Sequence, residues 1–294
     1  MARLALRFPV TFDVVSVKSV EPQEVSADHG RQPVLRWWKE ALIVVAFYVI
    51  YSFSRNLFGS AHVAKGSLPL KAFNNAIRVI HLEQRLHIFH EAQIQAWFAG
   101  DKLFFQFWNT FYGTAHFFVT IGVFIWMFFR DRNHFTHSRN ALAFTTAIAI
   151  VGFSLFPLMP PRLLENTGRY GGAAIAQQQG RPAYGFHDTI EEYGGPWSFD
   201  SGAGAKVSNQ YAAMPSLHIA WATWTCIVVW RIVKRKWLRG LLLLYPLATL
   251  FCIVVTANHY FTDAIGGLLL LEIGWLSGMQ FDRWNDQRLA RKYG

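Results

Sequence analysis

Two short strings carry residue types suited to attack on phosphorus: Met214-Pro215-Ser216-Leu217-His218 and Asn258-His259-Tyr260-Phe261-Thr262-Asp263. In the first, Pro215 favours the start of a helix and Ser216 offers an oxygen to its free amides. A helix start presents unpaired N–H groups and a partial positive charge, which together suit phosphate oxygens. His218 then sits in the first turn, placed to give a proton to a leaving oxygen and take one from an acceptor. In the second string His259 and Asp263 are four apart, so on a helix they share a face. A carboxylate that accepts from one ring nitrogen fixes the tautomer and leaves the other nitrogen as a nucleophile. Each string also has a plainer reading, as a capped membrane-helix start with an interfacial histidine, or as a polar pair near headgroups. Two of three metal ligands is a further alternative for the second, but no second histidine-rich string or carboxylate pair supports a zinc site.

Arg162 follows Pro160-Pro161. A planar guanidinium grips two phosphoryl oxygens and offsets charge that builds in a transition state. Alone it reads as a snorkelling interfacial arginine, so its weight depends on whether all three strings reach one membrane face.

The elements that would bring them there are apolar runs. The chain has 294 residues, 52% hydrophobic and only 16% charged. Its apolar residues gather in stretches of about 20, the length of helix that covers a ~30 Å hydrocarbon core. The expectation is an all-α polytopic membrane protein with six transmembrane helices, roughly 40–58, 103–129, 141–158, 215–233, 240–257 and 262–281. Residues 1–35 form a cytoplasmic N-terminal segment without a cleavable signal, 36–281 a six-helix catalytic domain, and 282–294 a basic cytoplasmic tail.

Arg130, Arg132 and Arg139 lie between the second and third runs, and Arg231, Lys234, Arg235, Lys236 and Arg239 between the fourth and fifth. Short basic loops stay in the cytoplasm, so both termini are expected inside and the outer loops are 59–102 and 159–213. All three strings then face outward at the plasma membrane. His218 and His259 are 41 positions apart, which is two spans and a turn. The net charge of +10 reads as cytoplasmic loops beside acidic headgroups rather than nucleic-acid binding. Cys226 and Cys252 lie inside apolar runs and form no disulfide framework. Residues 69–98 place Phe73, Ile77 and Ile80 at helical spacing, which predicts an amphipathic interfacial helix or a broken pair. The glycine-rich loop 159–213 is long enough to suggest a lid or headgroup pocket.

These residues resemble the type 2 phosphatidic acid phosphatase superfamily and, within it, the branch of inositol phosphorylceramide synthases. The likeness covers Met159 to Gly267. It implies His259 as phosphorus nucleophile, Asp263 as its orienting partner, His218 as general acid then base, and Arg162 as a phosphate ligand, with no metal or other cofactor. Two departures stand out. Leu217 occupies a position where superfamily members often have glycine, and Phe251-Cys252-Ile253-Val254 replaces a frequent serine-arginine pair. Another cation must serve, with Arg162, Arg169, Arg181 and Lys206 as candidates; Ser216 joins the expected phosphate site. Both departures look like the synthase branch.

Asn109, Tyr112 and His116 fall on one helical stripe, and polar groups inside a membrane are costly unless used, so they line the site or bond between helices. Glu272 lies about 13 Å along its helix from Asp263, too far for the chemistry, and is expected protonated or paired. The resulting expectation is a metal-independent lipid phosphate phosphatase or phosphotransferase, its partners being a lipid with a phosphate headgroup and the bilayer. The alternative is a non-catalytic carrier or flippase for a phosphorylated lipid. A metalloprotease lacks its His-Glu-x-x-His pattern.

Overall fold

A computed structural model describes residues 36–58, 68–194 and 209–293. The expected N-terminal segment 1–35, Lys206 and the side chain of Arg55 lie outside the described residues. The rest is helical: α1 (Trp37–Phe58), α2 (Leu70–Arg85), α3 (Glu91–Ala96), α4 (Lys102–Arg130), α5 (Arg132–Leu155), α6 (Ala173–Gln178), α7 (Thr189–Tyr193), α8 (Leu217–Ile232), α9 (Lys236–Leu242), α10 (Leu244–Val255) and α11 (Phe261–Tyr293). One isolated bridge pairs Leu158 with Ala212.

Four helical stretches among the described residues are long and apolar enough to cross a membrane: 102–130, 132–155, 236–255 (α9 and α10 together) and 261–292. Helix α8 is apolar but has 16 residues, about 24 Å of rise and short of a full hydrocarbon core. The expected fifth run is broken at Leu243 between α9 and α10. Pro246 explains the break, because its ring clashes with the carbonyl four residues back and it has no N–H to donate. Helix α11 runs through the expected tail to Tyr293, 33 residues in all.

The expected basic loop between the second and third runs is a single residue. Asp131 is the C-cap of α4 and the N-cap of α5 and accepts from the His134 amide. The charged residues that read as a loop are on the helix instead, where Arg139 donates to Glu40 at 2.7 Å and His137 pairs with Asp282 at 2.9 Å. Helices α5 and α11 pack closely: a Cβ on Gly274 would lie 2.1 Å from Thr145 Oγ1. Trp224 of α8 is fully buried and donates to the Ser138 carbonyl of α5 at 2.9 Å.

The amphipathic stretch forms two helices, α2 and α3, the broken pair. Phe73, Ile77 and Ile80 of α2 are buried with Leu158, Met159, Leu163, Tyr211 and Tyr260 in one core. Burial of each such side chain contributes roughly 1.5–3 kcal/mol. Leu82, Leu86 and Trp97 are exposed instead. Helix α2 therefore packs on the loops that carry the motifs. Glu272 is exposed on α11 and makes no ion pair among the described residues.

Candidate active site

The motif loops meet at one end of the helices. The chain leaves α5, makes a 3₁₀ turn over Pro161–Leu163, and donates the Arg162 amide to the Ala257 carbonyl at 2.8 Å. Ala257 ends α10 with a positive φ of 52°. The amides of Ala257 and Asn258 reach back to Val254 and Ile253, closing a Schellman turn. That reversal places His259 between α10 and α11. Helix α8 starts beside it: the Ser216 amide donates to the Asp263 carbonyl. A Cβ on Gly267 would lie 2.3 Å from the Ser216 oxygen, so glycine permits this approach.

His259 Nδ1 lies 3.3 Å from Asp263 Oδ2 and its Nε2 lies 3.4 Å from His218 Nδ1. Asp263 Oδ2 also accepts from the Tyr260 amide at 3.0 Å, which fixes the carboxylate. His259 is 2% exposed and Asp263 fully buried. Tyr112 stacks on His218 with centroids 4.3 Å apart. His116 lies 4.2 Å from the same ring, and its Nδ1 donates to the Tyr112 carbonyl at 3.0 Å. The third imidazole thus joins the pair predicted from sequence. Burial, followed by the carboxylates of Asp263, Glu83 and Glu91, pushes the Tyr260 phenol well above its ordinary pKa.

A cavity of about 70 Å³ opens onto His259, with Tyr112, Arg162, Asn209, Gln210 and Asn258 in its wall. That volume has room for a few water-sized molecules. Arg162 is the only cation among the described residues lining it. Its Nε donates to Asn258 Oδ1 at 3.0 Å, Nη1 to Asp188 Oδ2 at 2.7 Å and Nη2 to Gln210 Oε1 at 2.6 Å. Asp188 in turn caps α7 through the amides of Ile190 and Glu191.

Other expected site residues lie elsewhere. Arg169 is exposed, with its guanidinium 6.0 Å from the Tyr170 ring, and Arg181 is exposed too. Asn109 donates to the carbonyls of Thr189 and Gly194, tying α4 to the long loop. Ser216 precedes α8 but makes no side-chain cap, and its Oγ is buried without a partner among the described residues. Where a serine-arginine pair was absent, Cys252 donates to the Trp108 carbonyl at 3.3 Å. No group of three His, Cys, Asp or Glu side chains among the described residues is arranged to hold a metal.

Sequence reasoning passed over Asn258, Gln210 and Asp188. Asn258 had a signal in its adjacency to His259; the other two had none, because the loop folds back across 26 and 48 positions to reach Arg162.

A family model described as the PAP2 superfamily matches residues 77–277. The chain belongs to this superfamily. Membership suggests a phosphatase or phosphotransferase of lipid phosphates. No curated protein and no solved structure matches the chain.

Proposed function

We propose that the protein cleaves a phosphoester or pyrophosphate bond on a membrane lipid through a covalent phosphohistidine at His259. One observation carries the reading: Asp263 Oδ2, the two ring nitrogens of His259 and Nδ1 of His218 follow one another in a single file. With its Nδ1 proton donated to Asp263, His259 keeps the Nε2 lone pair for attack. An entering phosphoryl group separates the two imidazoles, and His218 transfers its hydrogen bond to the leaving oxygen. The P–N bond forms as the P–O bond breaks, and the leaving oxygen takes the Nδ1 proton of His218, which enters the step as the imidazolium and leaves it neutral. In the second step an acceptor hydroxyl loses its proton to His218 and attacks phosphorus, returning the P–N electron pair to His259. Water as acceptor gives a phosphatase and a lipid hydroxyl a phosphotransferase. The departures at Leu217 and at Phe251–Val254 favour the branch resembling inositol phosphorylceramide synthases, and with it transfer of a phosphoryl or phosphoinositol-type headgroup.

The start of α8 at Ser216 and the Arg162 guanidinium bind the non-bridging oxygens, Arg162 by exchanging a protein acceptor for phosphate. No metal enters the scheme. In the membrane we place six spans, with α2 and α3 at the interface, both termini cytoplasmic and the site at the outer face of the plasma membrane. The basic residues at the helix ends remote from the site support this orientation.

The test is to incubate the purified protein in proteoliposomes with phosphorus-labelled polyprenyl, glycerol and inositol lipid phosphates, then quench in alkali. Acid-labile label on the peptide containing His259, absent from His259→Ala, is the expected result. Turnover that persists in His259→Ala sinks the assignment, and a carrier binds lipid without ever releasing labelled product.

A further inference from the structure

Two fully buried acids, Glu83 on α2 and Glu91 at the start of α3, take no part in the chemistry above. Both reach the start of α11. Glu83 Oε1 accepts from the Thr262 amide at 2.7 Å and Glu91 Oε1 from the Phe261 amide at 3.0 Å. The next amide, that of Asp263, is held by the Tyr260 carbonyl at 3.1 Å. The free N–H groups that open α11 are thus satisfied by acids from two other helices, at the end where the helix dipole favours negative charge.

Neither glutamate makes an ion pair among the described residues. Oε2 of each has no hydrogen-bond partner among the described residues, and the same holds for the Thr262 hydroxyl between the helices they join. Two buried, uncompensated carboxylates cost several kcal/mol each. A single proton held by the pair removes one charge, while each Oε1 keeps its amide. Burial first, then the hydrogen bond to Glu91 and its charge, raise the pKa of Glu83 to about 9, against the hydrogen bonds from Thr262, which lower it. The Tyr260 phenol feels the charges of both glutamates, and those of Asp263 and Tyr184 as well. When ionised all are negative, so all favour keeping the proton.

We propose that Glu83 and Glu91 form a singly protonated acid pair that clamps the first turn of α11 and so positions Asp263 and His259 for phosphoryl transfer. They are positioning residues, and the catalytic half of the claim rests on the function proposed above. Displacing a reacting group by about 1 Å costs on the order of 10²-fold in rate.

The experiment compares wild type, Glu83→Ala and Glu83→Gln by hydrogen exchange and by turnover of a lipid phosphate in proteoliposomes. Glu83→Ala is expected to speed exchange at the amides of Phe261 and Thr262 by about tenfold or more. It is also expected to lower kcat by about 10²-fold with KM little changed. Glu83→Gln still accepts from Thr262 and donates to Glu91, so it recovers most of both. Wild-type kcat falls above about pH 9 as the shared proton leaves, and this alkaline limb disappears in Glu83→Gln. Unchanged exchange in Glu83→Ala overturns the clamp whatever the activity does. Faster exchange with undiminished kcat overturns the positioning role. A wild type inert toward every lipid phosphate counts against the proposed function, and exchange alone then decides the clamp. Should Glu83→Ala fail to fold, Glu83→Gln decides: loss of the alkaline limb supports the pair and its persistence refutes it.

Discussion

The amide of Ser216 donates to the carbonyl of Asp263 at 3.0 Å, so the helices bearing His218 and Asp263 begin from a shared joint. One backbone hydrogen bond thus ties together the helix starts of two residues 45 positions apart in sequence. Gly267 allows the joint to close.

Replacing that glycine should open the joint. Gly267→Ala places a methyl against the Ser216 carbonyl and is expected to cost about 1–3 kcal/mol through overpacking. Thermal melts in detergent should show a lower Tm and assays a lower kcat. An unshifted Tm would show that the two helix starts are free to separate.

The role of His218 is separable from general damage. His218→Ala should lower kcat by about 10²- to 10⁴-fold on a natural lipid phosphate. A lipid analogue with a strongly acidic leaving group needs no protonation, so most of the first-step loss should vanish with it. Equal losses on both substrates, in single-turnover formation of the phosphoenzyme, would remove His218 as the acid.

Asp188 neutralises Arg162 in a buried contact, with side chains 6% and 4% exposed. Asp188→Asn keeps the cap on α7 and removes the competing charge. Its inhibition constant for inorganic phosphate should drop by roughly 3- to 10-fold, about 1 kcal/mol in binding. Weaker phosphate inhibition would mean that Asp188 shapes the cavity and does not compete for the guanidinium.

Chelation offers a direct check on the chemistry. Turnover should persist in EDTA, and a loss restored by zinc would require a metal centre and a different mechanism.

Glu83 also predicts a pH dependence of stability. Its carboxyl is raised from 4.5 to about 9 in the folded protein. Between those values the folded state holds a proton that the unfolded state has lost, so stability falls as pH rises through this window. Glu83→Gln cannot titrate and should flatten that slope in melts collected from pH 5 to about 9. An identical slope in the variant would place the proton elsewhere.

Much of the site was readable from residue types. The four-residue spacing of His259 and Asp263 and the helix start before His218 brought those three together, and the stripe through Tyr112 and His116 led to the same rings. Asn109 lies on that stripe but binds the loop backbone instead, a choice that depends on where residues 189–194 fold. Glu83 continues the buried face through Phe73, Ile77 and Ile80, but as an acid it read as part of the polar gaps, and the Thr262 amide it caps is 179 positions away. Charge misled at Arg132–Arg139, where tertiary pairing with Glu40 and Asp282 keeps a helix that reads as a loop. At α8 the apolar run read from 215 begins two residues before the helix, because Pro215 and Ser216 precede its first turn.

The clasp on Arg162 has a genetic corollary. One guanidinium fastens Asn258, Gln210 and Asp188, which come from three separate connections. A screen for inactive variants will recover changes at this codon both because an anion loses its binding partner and because three loops come adrift. Lysine there restores the charge without the fork, so Arg162→Lys beside Arg162→Ala tells the two failures apart.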